Sequence, residues 1–335
     1  MDYGILRLPH QNSRYDEATE KLMAHELAIV MNGIGQAYIA KGYQSFGSIE
    51  LFVFNVSEAL SERVFSALER LSSRLALFEI SGDWLKPVES YWSPYMRSDF
   101  ASILKYSGKT NEAFTGMMIN IGIFSSDFAG DFNMPLTVFD PMSGRGTTLY
   151  KALMVGYHAT GVELNKQDAV EMNQYVKRYL KYHHYKHETL HQTIVKDGKQ
   201  YGTKYTITTA DTKEHYKAGE QRSLQFASGD TVMSNLYHKK RHAHVLVTDL
   251  PYGVQHSGKV VMTLLQKALP VWHAMLKTGG VAVVAYNTYH LDRAVLVDAF
   301  KAAGYNVMTE APYDDFEHWV EQAVNRDIIV AKCER

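Results

Sequence analysis

The sequence predicts an α/β protein in which a parallel sheet covered by helices follows a smaller α+β domain. Three observations lead there. From about residue 137 the runs "LTVFD", "PMSGRGTT", "LYKALMVGY" and "HATGVEL" read as strand, glycine turn, helix and strand. Such a βαβ unit needs parallel strands and a right-handed crossover. Residues 1–90 instead mix short apolar strands, "YGILRL" and "SIELFVFNV", with amphipathic helices, "DEATEKLMAHELAIVM" and "SEALSERVFSALERLSSRLALF". Finally, 335 residues suit one large domain with a smaller companion. We therefore expect an N-terminal domain over 1–90 and a larger one over 91–335.

The elements of the second half follow in order. "NKQDAVEMNQYVKRYLKYHHYKHETLH" reads as a helix, and a polar stretch of about 192–223, with "TKYTITT" as a short β excursion, reads as an insertion. "SLQFASGD" and "HVLVTD" are strands, a helix begins after 258, and "GGVAVVAYN" is the next strand. "HLDRAVLVDAFKAAGY" is helical, and "RDIIVAKC" ends the chain as a strand.

Composition narrows the class. With 46% hydrophobic and 21% charged residues the chain is an ordinary globular protein. A net charge of -1 leaves any nucleic-acid contact to local patches. Cys333 is the single cysteine, which excludes an internal disulfide and a cysteine-based zinc cluster and fits a cytoplasmic location. The start of the chain lacks signal-peptide features, and no apolar run reaches membrane-spanning length.

Acidic residues close several of these strands. In "TVFDPMSGRGTT" Asp140 ends a strand, Gly144 and Gly146 let a ligand approach the backbone, and Thr147 and Thr148 open a helix whose N–H groups are unpaired. Those groups favour phosphate, but the loop has neither the P-loop ending nor the GxGxxG spacing. An acid at the strand end suits a ligand that carries a cationic amine and a carboxylate, as S-adenosylmethionine does. Glu163, in "GVEL", comes twenty-three residues after Asp140, where a carboxylate can accept both ribose hydroxyls. Asp230 in "FASGDT" could accept the adenine amino group. Asp211 in "TTADT" has a similar setting; the nineteen residues between Asp230 and Asp249, enough for a helix and a strand, favour Asp230.

The next strand ends in "TDLPYG". A carboxylate, Asp249, with a backbone carbonyl near Leu250 and Pro251, can accept the two hydrogens of an exocyclic amine. That aims its lone pair at a sulfonium methyl group, while Pro251 fixes the turn. Tyr252 supplies a flat face for stacking a base.

Together "DPMSGRGTT", "GVEL", "SGDT" and "DLPYG" resemble the amino-group methyltransferases that use S-adenosylmethionine, and within them the RNA methylase family that includes the tRNA guanine-N2 methyltransferases. The resemblance spans about residues 90–335. It implies the Rossmann-like seven-stranded sheet of class I methyltransferases, with an antiparallel last strand for which "YNVMTE" and "RDIIVAKC" are the closing pair. It also implies that Lys109, Thr110 and Asn111 lie against the methionine end of the cofactor, with Asp140, Pro141, Met142, Ser143, Gly144, Gly146, Thr147, Thr148, Glu163 and Asp230 completing its site. Catalysis would fall to Asp249, Leu250, Pro251 and Tyr252. Leu250 departs from the family, whose turn is commonly Asp-Pro-Pro-Tyr-Gly, and an acidic first residue occurs among both adenine and guanine methylases.

The expected substrate is a nucleic acid, RNA rather than DNA, with methylation at guanine N2. The segments "KRYLKYHHYKHETLH" and "YHKKRHAH" interleave basic, histidine and aromatic residues as RNA contacts would. His183, His184, His187 and His191 include i, i+4 spacings on the expected helix, but HExxH is missing and methyl transfer needs no metal. Two rival readings are a DNA or RNA adenine-N6 methyltransferase and a catalytically silent nucleic-acid-binding protein with the same fold. The N-terminal domain is the natural place for substrate recognition.

Overall fold

In the computed structural model, residues 1–9, 13–103, 109–251 and 258–334 are described. The N-terminal part contains β1 (Asp2–Arg7), α1 (Ser13–Gly33), β2 (Ile39–Phe46), β3 (Ile49–Asn55), α2 (Glu62–Leu68), β4 (Arg74–Ser81) and β5 (Trp84–Pro87). Its five strands form an antiparallel sheet in the order β2-β3-β1-β4-β5. This is the smaller α+β domain that the alternating strands predict.

The second part begins with α3 (Glu112–Ser125), β6 (Thr137–Asp140), α4 (Thr147–Met154), β7 (His158–Glu163) and α5 (Lys166–Tyr182). A hairpin follows, β8 (His187–Lys196) and β9 (Lys199–Thr209), then α6 (Lys213–Ala218), β10 (Arg222–Ser228), α7 (Ser234–Tyr237) and β11 (Ala243–Asp249). The chain closes with α8 (Gly258–Met275), β12 (Leu276–Asn287), α9 (Arg293–Ala302), β13 (Tyr305–Val307), β14 (His318–Glu321) and β15 (Val324–Cys333). The large sheet has the order β13-β15-β12-β11-β6-β7-β10-β9-β8. Strands β12, β11, β6, β7 and β10 are mutually parallel, whereas β15 runs antiparallel between β12 and β13. Those seven strands carry the class I methyltransferase topology, and the expected closing pair is β13 and β15.

The central strands are buried on both faces, as strands covered by helices must be, which is why "HVLVTD" and "GGVAVVAYN" read as nearly continuous apolar runs. Helix α3 is apolar almost all round because it lies between the sheet and α1. Gly122 allows this: a Cβ there would meet Val245 Cγ1 at 2.3 Å. On the opposite side, buried Glu26 of α1 accepts hydrogen bonds from Ser72 N, Ser72 Oγ and Asn120 Nδ2, tying the two parts together.

One expected helix is shorter than its pattern. Helix α5 stops at Tyr182, and His184 takes a left-handed φ of 58°. Alternation from His187 onward then starts β8, so the inserted segment is a long hairpin that begins before 192. His183, His184, His187 and His191 therefore do not share a helix face.

Candidate active site

Parallel strands end at one edge of their sheet, and the acids that close them are gathered there. Pairing of Asp140 with Gly161 and of Ser228 with Glu163 puts Asp140, Glu163 and the Asp230 turn side by side, and β11 delivers Asp249 to the same edge. Asp211 is not with them. It follows β9, which runs antiparallel to β10 with Thr209 opposite Arg222, so it sits at the other edge of the sheet, 2.7 Å from His215 Nδ1.

Two adjoining cavities open along the acidic edge, of about 270 and 550 Å³. Met142, Gly144, Asp249 and Pro251 line both, which makes them one cleft. The smaller part is walled by Thr110, Asp140, Ser143, Thr147, Thr148 and Leu250. The larger is walled by Pro141, Glu163, Leu164, Asp230 and Leu264.

The glycine loop is held from within. Gly144 N donates to Glu163 Oε2 at 2.7 Å, Ser143 N to Val162 O at 2.9 Å and Gly146 N to Ser143 O at 2.8 Å. Gly146 has φ +94°, and a Cβ on it would meet the Tyr150 ring at 2.9 Å, so this turn requires glycine. Asp140 is buried, and its Oδ1 accepts from Met142 N at 3.0 Å and Thr248 Oγ1 at 2.8 Å. Burial pushes its pKa up to about 6. Burial also raises Glu163, against the hydrogen bonds from Asn165 N and Gly144 N.

Asp249 has unequal oxygens. Its Oδ2 accepts from Thr110 Oγ1 at 2.8 Å and lies 3.4 Å from Arg326 Nη2. Its Oδ1 is buried and has no partner among the described residues. Burial raises the carboxyl's pKa, while Arg326 and Thr110 pull it down. Arg326 lies over the Phe114 ring at 4.7 Å.

Other expected site residues are placed differently. Lys109 Nζ donates to Ala101 O at 2.7 Å and pairs with Glu112, and Asn111 Oδ1 caps α3 through Ala113 N and Phe114 N; neither lines the cleft. Leu250 points its side chain into the core, and its N–H donates to Ala285 O at 2.9 Å, extending the β11–β12 ladder. Tyr252 falls outside the described residues. Arg326, Thr115, Met118 and Leu264 were not singled out by sequence; Arg326 had one local signal, an Arg-Asp pair ahead of the apolar run of the closing strand.

The second basic segment turns largely inward. His238 Nε2 donates to Gly161 O at 3.0 Å, His242 stacks on it, His244 Nδ1 accepts from Thr137 N at 2.8 Å, and burial pushes the pKa values of the three down to about 3, 4 and 4. Lys239, Lys240 and Arg241 are exposed, but they precede β11 and so lie at the edge away from the cleft.

A family model described as an RMKL-like methyltransferase domain matches residues 131–310. No curated protein matches the chain. Solved structures that match include a proposed RNA methyltransferase of Pyrococcus horikoshii, at 13% identity over 70% of this chain and 95% of that one, with a TM-score of 0.41. A TehB-like S-adenosylmethionine-dependent methyltransferase from Corynebacterium glutamicum matches at 12% identity over 59% and 80%, with a TM-score of 0.36. The 16S rRNA (adenine(1408)-N(1))-methyltransferase of Catenulisporales acidiphilia matches at 12% identity over 62% and 89%, with a TM-score of 0.35.

Proposed function

Because this chain belongs to the family of RMKL-like methyltransferase domains, we propose that it transfers a methyl group from S-adenosylmethionine to an exocyclic amino group of an RNA base, guanine N2. The observation that carries the reading is Asp249 Oδ1, a buried acceptor without a partner among the described residues, at the wall shared by both halves of the cleft. An unpaired buried carboxylate oxygen costs stability, and an amine N–H is the kind of donor that would complete it.

In this reading the cleft fits the cofactor. Glu163, Asp230 and the exposed side chain of Leu164 would receive its nucleoside, and Asp140 with the Gly144–Thr148 turn its amino-acid end. When bound, S-adenosylmethionine supplies an electrophilic methyl group. Thr110 and Arg326 hold Asp249 Oδ2, which leaves Oδ1 as the unengaged acceptor of a residue that lines the cleft. Oδ1 and a carbonyl of the Leu250–Pro251 turn would accept the two amine hydrogens, and Tyr252 would stack the flipped base. The methylated amine then loses its proton to water.

RNA as substrate is supported by the resemblance carried by "DPMSGRGTT" and "DLPYG", and by the hairpin. Its tip, around Lys196 and Lys199, extends beyond Ser228 at the cleft edge and exposes Val195. The N-terminal domain would take part in recognition, and the enzyme would work in the cytoplasm. Among the described residues no helix is long and apolar enough to cross a membrane.

The test is to incubate the protein with labelled S-adenosylmethionine and, separately, small RNA, ribosomal RNA and genomic DNA from cells lacking it, then identify the methylated nucleoside. Label in N2-methylguanosine from an RNA pool supports the proposal. Label in N6-methyladenosine, or in DNA alone, replaces guanine N2 by the adenine reading.

A further inference from the structure

A second cavity, of about 250 Å³, lies outside the cleft, where the Glu69–Arg74 segment of the N-terminal domain meets α3 and α4. Arg70, Arg74 and Lys151 line it together with Trp92, Asn120 and Gly116. Its one acidic lining residue, Glu69, directs Oε2 to Tyr91 N at 2.9 Å. Among the described residues, none of the three cations is ion-paired with a carboxylate.

Each cation is built in. Arg70 lies over Trp92 at 5.1 Å and Phe132 at 5.4 Å, donates to Asn133 Oδ1 at 3.0 Å, and leaves Nε buried without a partner among the described residues. Arg74 spends Nε and Nη2 on Glu69 O at 3.2 and 3.0 Å. Lys151 Nζ is largely buried and has no hydrogen-bond partner among the described residues; burial lowers its pKa. Gly116 makes room for it, since a Cβ there would meet Lys151 Cε at 3.1 Å. Glu112 and Glu26 balance the lysine only in part, because Glu112 is paired with Lys109 and burial pushes the Glu26 pKa up to about 7. Glu69, Glu112 and Glu26 act on the three desolvated cations only through space, each being engaged elsewhere or raised by burial, so an added anion is favoured here. Arg70 spends Nη1 on Val155 O and Tyr157 Oη, so Arg74 Nη1 and the Lys151 ammonium are the donors left for the oxygens of a phosphate, with Arg70 adding its positive charge.

We propose that this cavity binds a phosphate group, and that the group belongs to the RNA chain whose base enters the cleft. The RNA half of this inference rests on the function proposed above. Its structural ground is that two helices wall both spaces: α3 gives Thr115 to the cleft and Gly116 to the cavity, and α4 gives Thr147 and Lys151. Lys151 is one turn from Thr147, about 6 Å along the axis. A phosphate held here is thus near the nucleotides that flank the target, and Trp92 offers a face to a neighbouring base.

The test uses the full chain, with Lys151→Met, Lys151→Arg and Arg74→Gln. Inorganic phosphate is titrated by calorimetry, and a short single-stranded RNA of mixed sequence is bound at several salt concentrations. We expect saturable phosphate binding that falls about tenfold or more in Lys151→Met and Arg74→Gln and survives in Lys151→Arg. The slope of log K against log salt for RNA should fall by about 0.7 for each cation removed. Removing an unpaired buried ammonium should leave the melting temperature of Lys151→Met unchanged or raised, and cofactor affinity unchanged, so a folding defect is recognisable. If Lys151→Met binds phosphate like wild type, the site is overturned. If phosphate binding is lost while the RNA slope holds, the RNA source is overturned and a free phosphate compound is the ligand. Absence of methyl transfer to any RNA would sink the proposed function but leave the phosphate titration standing.

Discussion

Thr110 Oγ1 donates to Asp249 Oδ2 at 2.8 Å, joining positions 139 apart in sequence. With Arg326 at 3.4 Å, this bond holds one carboxylate oxygen and leaves Oδ1 buried without a partner among the described residues. Asp249→Asn keeps the shape but replaces charge and acceptor capacity. We expect kcat to fall by about a hundredfold or more, with cofactor affinity changed by less than about threefold. Turnover assays alongside calorimetry with S-adenosylmethionine decide it, and full activity would remove Asp249 from the mechanism.

Thr110→Val removes a hydrogen bond to a charged group, worth about 1.5–3 kcal/mol. The expected result is a drop in kcat of about tenfold or more. Because that bond lowers the Asp249 pKa against burial, its loss should also move the acid limb of the pH–rate profile to higher pH. A profile that stays in place would mean that the bond does not tune the carboxylate.

Burial raises the Glu26 pKa from 4.5 to about 7. A carboxyl raised by folding contributes stability below its unfolded pKa and loses it as pH rises through the folded value. Wild type should therefore lose about 3 kcal/mol from this group between pH 4.5 and 8. His238, His242 and His318, held neutral by burial, act in the opposite direction below about pH 6.5. Glu26→Gln isolates the acid: the melting temperature of the variant minus that of wild type should increase with pH. A difference independent of pH would contradict this.

Gly146→Ala places a Cβ on a left-handed residue and 2.9 Å from the Tyr150 ring. Loss of about 1–3 kcal/mol of stability is expected, along with a marked loss of cofactor affinity as the turn shifts. Thermal melts with and without S-adenosylmethionine will show whether the bound form is stabilised less than in wild type.

Asp230 lines the cleft, whereas Asp211 lies at the far edge with His215. Asp230→Ala should weaken cofactor binding about tenfold, and Asp211→Ala should leave it unchanged. Equal effects would remove Asp230 from the adenine-binding role.

Local pattern was enough to read much of this molecule. The β-branched runs ending in Asp140, Glu163 and Asp249, and the glycines between Ser143 and Thr147, express strand ends and a turn within a few residues of one another. Backbone geometry and burial act at that range, so these strands and the cleft-lining acids were legible, whereas the count of seven strands came from the family resemblance. The histidines of "HHYKHETLH" were less so, because a helix end set by a left-handed His184 and a new strand from His187 both fall within that run.

By itself, then, the sequence determined the α/β class, the succession of the main strands along the chain and the acids at their ends. Tertiary structure decided which acid belongs to the cleft, because an acid at a strand end reveals nothing of the direction in which that strand is inserted. Asp211 ends an antiparallel strand and Asp230 follows a parallel one. Structure also turned Leu250 and the histidines of "YHKKRHAH" inward, and it brought Thr110 and Arg326 to Asp249 and Lys151 beside Arg70 and Arg74. Those contacts join residues far apart in the chain, and long-range packing leaves no local periodicity to read.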